Sequence, residues 1–149
     1  MISESYPVEL TAEGPNAFIV EFPDIPGILT CGRDVANALY WARDALMVAL
    51  ASFMDQRVDI PLPSIPTPDQ YAVALPSIAM MKVALYQGMR EQGITEAQLS
   101  MRLKCDPKQV RRLLDLDHNT RLDQLERALQ TVGKKVTVGI VDLPRRHSA

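Results

Sequence analysis

Lys108, Gln109, Arg111 and Arg112 crowd into five consecutive positions directly behind Asp106-Pro107. Those side chains are the set with which an exposed helix reads duplex DNA: arginine bonds guanine bidentately, glutamine pairs with adenine, and lysine neutralises phosphate. Thr95 and Gln98 lie upstream of the cluster, and His118, Asn119 and Arg121 follow it. All five are suited to contacts with a nucleic-acid backbone. A second group of residues, Glu9, Glu21 and Asp24, offers the carboxylates that a two-metal nuclease would need, since such a site clamps the attacking and leaving oxygens between ions held by several acids.

The elements that would hold the basic cluster are legible from local signals. Thr95-x-x-Gln98 is a capping-box pattern that opens a helix over about Glu96 to Leu103. Asp106 is a cap followed by proline at the first helical position, so another helix starts at Pro107 and runs to about Leu116. Two short helices with a break of about three residues have the spacing of a helix-turn-helix. Leu99, Leu103, Val110, Leu113 and Leu114 then face a small core, which leaves Lys108, Gln109, Arg111 and Arg112 outward. One position resists the pattern: the turn carries Lys104 where glycine is common, so it must accept a strain of about 1 kcal/mol or turn differently. Ile78, Met81, Leu85 and Met89 mark a preceding helix from about Ser77 to Gln92, stopped by Gly93. Thr120-x-x-Asp123 opens a following one with Leu122, Leu125, Leu129 and Val132 inward and Gly133 as its stop. The alternation of Val136, Val138 and Ile140 predicts a closing strand.

The front of the chain has a different period. Tyr6, Val8 and Leu10 alternate, Glu13-Gly14-Pro15-Asn16 makes a turn, and Phe18, Val20 and Phe22 alternate again, which predicts a hairpin. A third strand is expected around Ile28 to Cys31. From Asp34, a fair N-cap, the apolar residues Val35, Ala38, Leu39, Ala42, Ala45, Leu46, Ala49, Leu50 and Phe53 fall on one helical stripe of about five turns. A short strand is expected near Val58 to Ile60. Pro61, Pro63, Pro66 and Pro68 then favour extended chain and a semi-rigid linker. Glu9 and Glu21 alternate with the apolar strand residues, which is the placement of a solvated sheet face and argues against a metal-dependent active site.

With 149 residues and 47% hydrophobic composition, the chain can bury one ordinary core or two small ones. The pattern divides it into residues 1–62, a linker over 63–76, and residues 77–149. The fold class is α+β: a β-β-β-α-β unit followed by a small helical unit with its closing strand. Net charge is −2, but residues 1–76 carry three arginines against ten carboxylates, giving −7, whereas residues 77–149 carry thirteen basic against eight acidic residues, giving +5. Such a split suits halves that meet partners of opposite charge, because summed fields steer association. Apolar runs are broken well before 18 residues and no signal-peptide pattern opens the chain, so the cytosol is the expected address and no membrane span is expected. Cys31 and Cys105 are isolated, which reads as reduced, buried or half-buried thiols rather than a disulfide or zinc site. Trp41 and the pair Met80/Met81 read as core or subunit-contact residues, and His147 as part of a basic tail.

The residues also carry a resemblance. ITEAQLSMRLKCDPKQVRRLLDLDHNTRLDQLERALQTVGKKVTV resembles the helix-turn-helix of Xre/Cro-type repressors, while YPVEL, FIVEFPDIPGILTCG, VANALYWARDALMVAL and IPLPS, in that order, resemble the HicB antitoxins. The two stretches together cover Tyr6 to Val141. The resemblance implies a partial RNase H-like front domain that binds a HicA-type toxin, a small basic ribonuclease that cleaves mRNA, and a dimeric rear domain that binds the operator of the toxin and antitoxin genes. The family pattern FxDxPGxxTxG falls on Phe22, Asp24, Pro26, Gly27, Thr30 and Gly32, in a structural and toxin-facing sense. No cofactor or metal is implied. A homodimer, or a tetramer of paired dimers, would be needed to span an operator, since two recognition helices must sit about 34 Å apart. The competing readings are a one-component repressor whose front domain senses a small ligand, and the metal-dependent nuclease.

Overall fold

The computed structural model describes residues 5–144. The front half is a four-stranded antiparallel sheet with one long helix on a single face. Strands β1 (Ser5–Gly14), β2 (Ala17–Glu21) and β3 (Leu29–Gly32) form a meander, and β4 (Tyr71–Ala74) adds to the free edge of β1, giving the order β3-β2-β1-β4. The alternating residues sort as their period requires: Tyr6, Val8, Val20 and Phe22 are buried under the helix. Helix α1 (Val35–Gln56) starts where Asp34 accepts a hydrogen bond from the Asn37 N–H at 2.7 Å. It buries Ala38, Ala42, Leu46, Leu50 and Met54 against the sheet.

Four further helices make up the rear half: α2 (Ser77–Gln92), α3 (Glu96–Leu103), α4 (Pro107–Leu114) and α5 (Leu122–Thr131). Their core is a separate apolar cluster of Met81, Leu85, Met89, Ile94, Leu99, Val110, Leu113, Leu125, Ala128, Leu129 and Val132. Helix α2 serves both cores. Its Ala79, Val83 and Tyr86 belong to the cluster under the sheet, while Met81, Leu85 and Met89 belong to the helical one. Tyr86 donates its hydroxyl to the Val58 carbonyl at 2.6 Å, and Arg90 reaches Asp59 at 2.7 Å and the Arg57 carbonyl at 2.6 Å. The two halves are thereby bolted together along one helix.

Three expectations are corrected. Residues 58–60 form no strand, although Ile60 does enter the first core. The carbonyls at Arg57 and Val58 are taken by Arg90 and Tyr86, and the prolines that follow lack donors, so a ladder cannot form there. The fourth strand appears instead at Tyr71–Ala74, inside the stretch expected to be linker, where N–H groups become available again. Residues 136–140 likewise form no strand: only Val136 packs on the helical core, while Val138 and Ile140 are 74% and 94% exposed. A strand needs a free edge, and this segment meets none in its own chain. Finally, α5 begins at Leu122 without a side-chain cap. Thr120 is buried and turns its hydroxyl to the Arg112 carbonyl, so it cannot serve as the cap.

Candidate functional site

Helices α3 and α4 are set by local chemistry. Thr95 and Gln98 form a reciprocal capping box: the Thr95 hydroxyl accepts from the Gln98 N–H at 3.1 Å, and the Gln98 amide oxygen accepts from the Thr95 N–H at 2.9 Å. Asp106 accepts from the Lys108 N–H at 2.8 Å, with Pro107 at the first helical position. Between the helices, Lys104 takes a left-handed conformation at φ 53° and so accepts the strain. The turn closes with the Cys105 N–H donating to Ser100, and the buried Ser100 hydroxyl donating to the Cys105 carbonyl at 2.6 Å.

Leu99, Val110 and Leu113 face the core as expected, with Leu103 and Leu114 half-buried. The basic cluster divides. Lys108 and Arg112, one turn apart, point straight out and are exposed. Arg111 lies on the flank of α4, where it lines a cleft of about 830 Å³ shared with Met54, Asp55 and Arg57 at the end of α1. Gln109, on the opposite flank, is half-buried. His118 and Asn119 are exposed in the loop after α4, and Arg121 pairs with Asp123 at 3.1 Å. The outward face of α4 is therefore cationic, whereas the loop after it also exposes Asp115 and Asp117; Thr95 and Gln98 stand at the adjoining start of α3.

That loop is held by a residue the sequence did not single out. Lys82 in α2 is fully buried, and its ammonium donates to the carbonyls of Arg112 at 2.9 Å, Asp115 at 2.6 Å and His118 at 2.6 Å. The cation closes the C-terminal end of α4, where unpaired carbonyls and the helix dipole favour positive charge. Burial pushes its pKa down, and Asp115 and Asp117 pull it back up. The available signal was a lysine at the edge of the apolar stripe Ile78, Met81, Leu85 and Met89.

In the front half, the FxDxPGxxTxG residues each build structure. Phe22 is buried in the first core. Asp24 clamps the proline-rich segment, accepting from the Ser64 N–H at 2.7 Å and the Ser64 hydroxyl at 3.0 Å. Gly27, next to exposed Pro26, turns with φ 95°, which side-chain-bearing residues rarely adopt. Thr30 is half-buried opposite Val20. Gly32 sits where α1 crosses: a Cβ there would lie 2.4 Å from the backbone of Ala38. Glu9 and Glu21 face each other across β1 and β2 and are exposed, whereas Asp24 is engaged with Ser64, so the three acids do not converge. Among the described residues no group of histidine, cysteine or acidic side chains could hold a metal ion. Cys105 is half-buried as expected, but Cys31 is exposed on the edge strand β3. Met80 and Met81 pack on the two cores, while Trp41 is 44% exposed and stacks edge-on against Tyr40 rather than entering the core. His147 lies outside the described residues. No helix among the described residues is long and apolar enough to cross a membrane.

Comparison with known proteins sets this geometry in context. Residues 5–84 match the family described as the HicB-like antitoxin of bacterial toxin–antitoxin systems. The chain is 32% identical over 136 residues to antitoxin HicB of Escherichia coli K12, covering 91% of this chain and 99% of that protein. It is 34% identical over 129 residues to antitoxin HicB 2 of Photorhabdus laumondii, covering 87% and 91%, and 32% identical over 129 residues to antitoxin HicB of Pseudomonas fluorescens Pf0-1, covering 86% and 88%.

Proposed function

The chain belongs to the HicB-like antitoxin family, and from that premise we propose that it neutralises a HicA-type mRNA-cleaving toxin by covering it and represses its own operon by binding operator DNA. It is an antitoxin in a toxin–antitoxin system and not an enzyme. The observation that carries the two-part reading is the division of charge, −7 over residues 1–76 and +5 over residues 77–149, which maps onto a sheet-and-helix half and a helical half with separate cores. An anionic unit is matched to a cationic toxin and a cationic unit to phosphate. The toxin is inhibited stoichiometrically, its RNA-facing surface buried by the partial RNase H-like half, with no bond made or broken by this chain.

For the DNA arm, α3 and α4 act as a helix-turn-helix in which α4 enters the major groove. Lys108 and Arg112 are the leading contacts because they alone of the basic cluster point straight out. Gln109 and Arg111 flank them, while Thr95, Gln98, His118, Asn119 and Arg121 border the groove backbone. The chain works as a dimer, since one such unit covers about half a site. The segment Val136 to Ile140, exposed from Thr137 onward, and α5 are the proposed dimer contact.

Binding of the full chain to its own promoter fragment, followed by fluorescence anisotropy across a salt series, tests this arm. Lys108→Ala should weaken all sequences and lower the salt slope by about one, and Arg112→Ala should cost about 1–3 kcal/mol with relaxed specificity. Binding unaffected by both substitutions would remove α4 from the groove. Co-purification of the full chain with its toxin tests the other arm.

A further inference from the structure

The helices that pack on the sheet lie on the face of Tyr6, Val8 and Val20; on the opposite face Pro7 is buried near the β4 edge, while the part over β1, β2 and β3 is open. Cross-strand pairing puts a row of Glu9, Glu21 and Leu29 on that open face, and a second row of Thr11, Ile19 and Cys31 beside it. Leu29 is 69% exposed and Cys31 is exposed, with Ile19 half-buried between Thr11 and Cys31. Glu9 is steadied by the Gln70 amide at 3.0 Å. Nothing neutralises the two carboxylates: among the described residues, neither Glu9 nor Glu21 makes an ion pair.

Like charges placed directly opposite on neighbouring strands destabilise a sheet, so this chain carries a local cost that its own fold does not offset. We propose that the open sheet face, centred on Glu9 and Glu21 with Leu29 as its apolar anchor, is the docking surface for a cationic protein, and, resting on the function inferred above, that this protein is the toxin. Negative charge on this face repels phosphate, which disfavours a nucleic acid as its occupant. Apolar groups beside paired acids give a basic protein partner both a desolvated centre and complementary charge. The neutralised repulsion becomes available to the complex, because lysine or arginine from the partner lies between two carboxylates already brought together by strand pairing, one of them held by Gln70.

The test compares the full chain with Glu9→Gln/Glu21→Gln in binding a catalytically inactive form of the cognate toxin, alongside a control, Asp44→Asn/Asp55→Asn, that removes the same charge from exposed positions of α1. The sheet variant should bind about tenfold more weakly or worse and should melt no lower than the parent, since it loses a repulsion rather than a contact. The control should bind like the parent. Leu29→Asp should weaken binding as well. Wild-type binding that survives the sheet substitutions within about twofold, or falls equally in the α1 control, overturns the surface assignment. So does a change confined to self-association in size-exclusion chromatography, which would give the face to a second copy. Failure of the parent chain to bind the toxin at all would instead refute the inhibitory function on which the assignment rests.

Discussion

Replacing Lys82 by methionine keeps most of the volume of the side chain and removes the ammonium from three carbonyl oxygens, those of Arg112, Asp115 and His118. Hydrogen bonds to a charged group each contribute about 1.5–3 kcal/mol, a gross total of about 5–9 kcal/mol. Against this stands the cost of keeping an ammonium away from water, several kcal/mol for a buried ion, and that same cost is what lowers the Lys82 pKa. The difference leaves a net loss of about 3 kcal/mol. For a chain of this length such a loss lowers Tm by about 6–12 °C, which scanning calorimetry at pH 7 would measure. Damage should be local as well as global: amide hydrogen exchange over residues 115–120 should accelerate, because the loop loses the group that pins its backbone. DNA affinity measured well below Tm should fall too if His118 and Asn119 touch the operator. A drop in Tm under about 2 °C with unchanged exchange would mean that water replaces the ammonium at these carbonyls, and the reasoning would fail.

Other perturbations address other parts of the fold. Gly32→Ala forces a methyl into the backbone of α1 at Ala38; overpacking of this kind costs about 1–3 kcal/mol or more, and urea unfolding should show a lower midpoint with an unchanged slope. Lys104→Gly relieves the left-handed turn between α3 and α4 and should stabilise the chain by about 0.5–1 kcal/mol, seen as a higher midpoint in the same assay. Burial, aided by the nearby Asp24 charge, raises the Tyr6 pKa to about 12 while its hydroxyl donates to the Pro61 carbonyl at 2.7 Å. Its folded pKa therefore exceeds its unfolded value near 10, so its contribution is complete below pH 10 and is lost as pH rises from 10 to 12. Tyr6→Phe should be less stable than the parent at pH 7, and the gap between them should narrow over that window, as followed by circular dichroism.

Much of this architecture was legible because it rests on neighbours in sequence. The cap at Asp34, the reciprocal Thr95 and Gln98 bonds, Asp106 before Pro107, and the stop at Gly93 each involve groups within four residues of one another. Those signals placed α1 to α4 to within a few residues, and the alternation of Tyr6, Val8, Val20 and Phe22 placed the hairpin and its buried face. Of the candidate site residues, Lys108 and Arg112 could be oriented from helical period alone, whereas Arg111 and Gln109 could not, since their flanks are defined by what packs beside α4.

What the linear order could not decide were choices made by distant partners. Residues 58–60 have strand composition, yet side chains of α2 take their carbonyls, and the edge of β1 goes to Tyr71–Ala74 instead. Trp41 and Cys31 have the types of interior residues, but the single helix layer leaves both outside. By itself the sequence determined the helices, the hairpin and the opposed charges of the two halves, because capping, period and net charge are summed over adjacent residues. Only the tertiary structure decided that Lys82 would be buried under the loop after α4 and that Glu9 would stand opposite Glu21. The first depends on backbone carbonyls thirty or more residues away, and the second on the register of the β1–β2 hairpin, which shifts between Ala12 and Gly14.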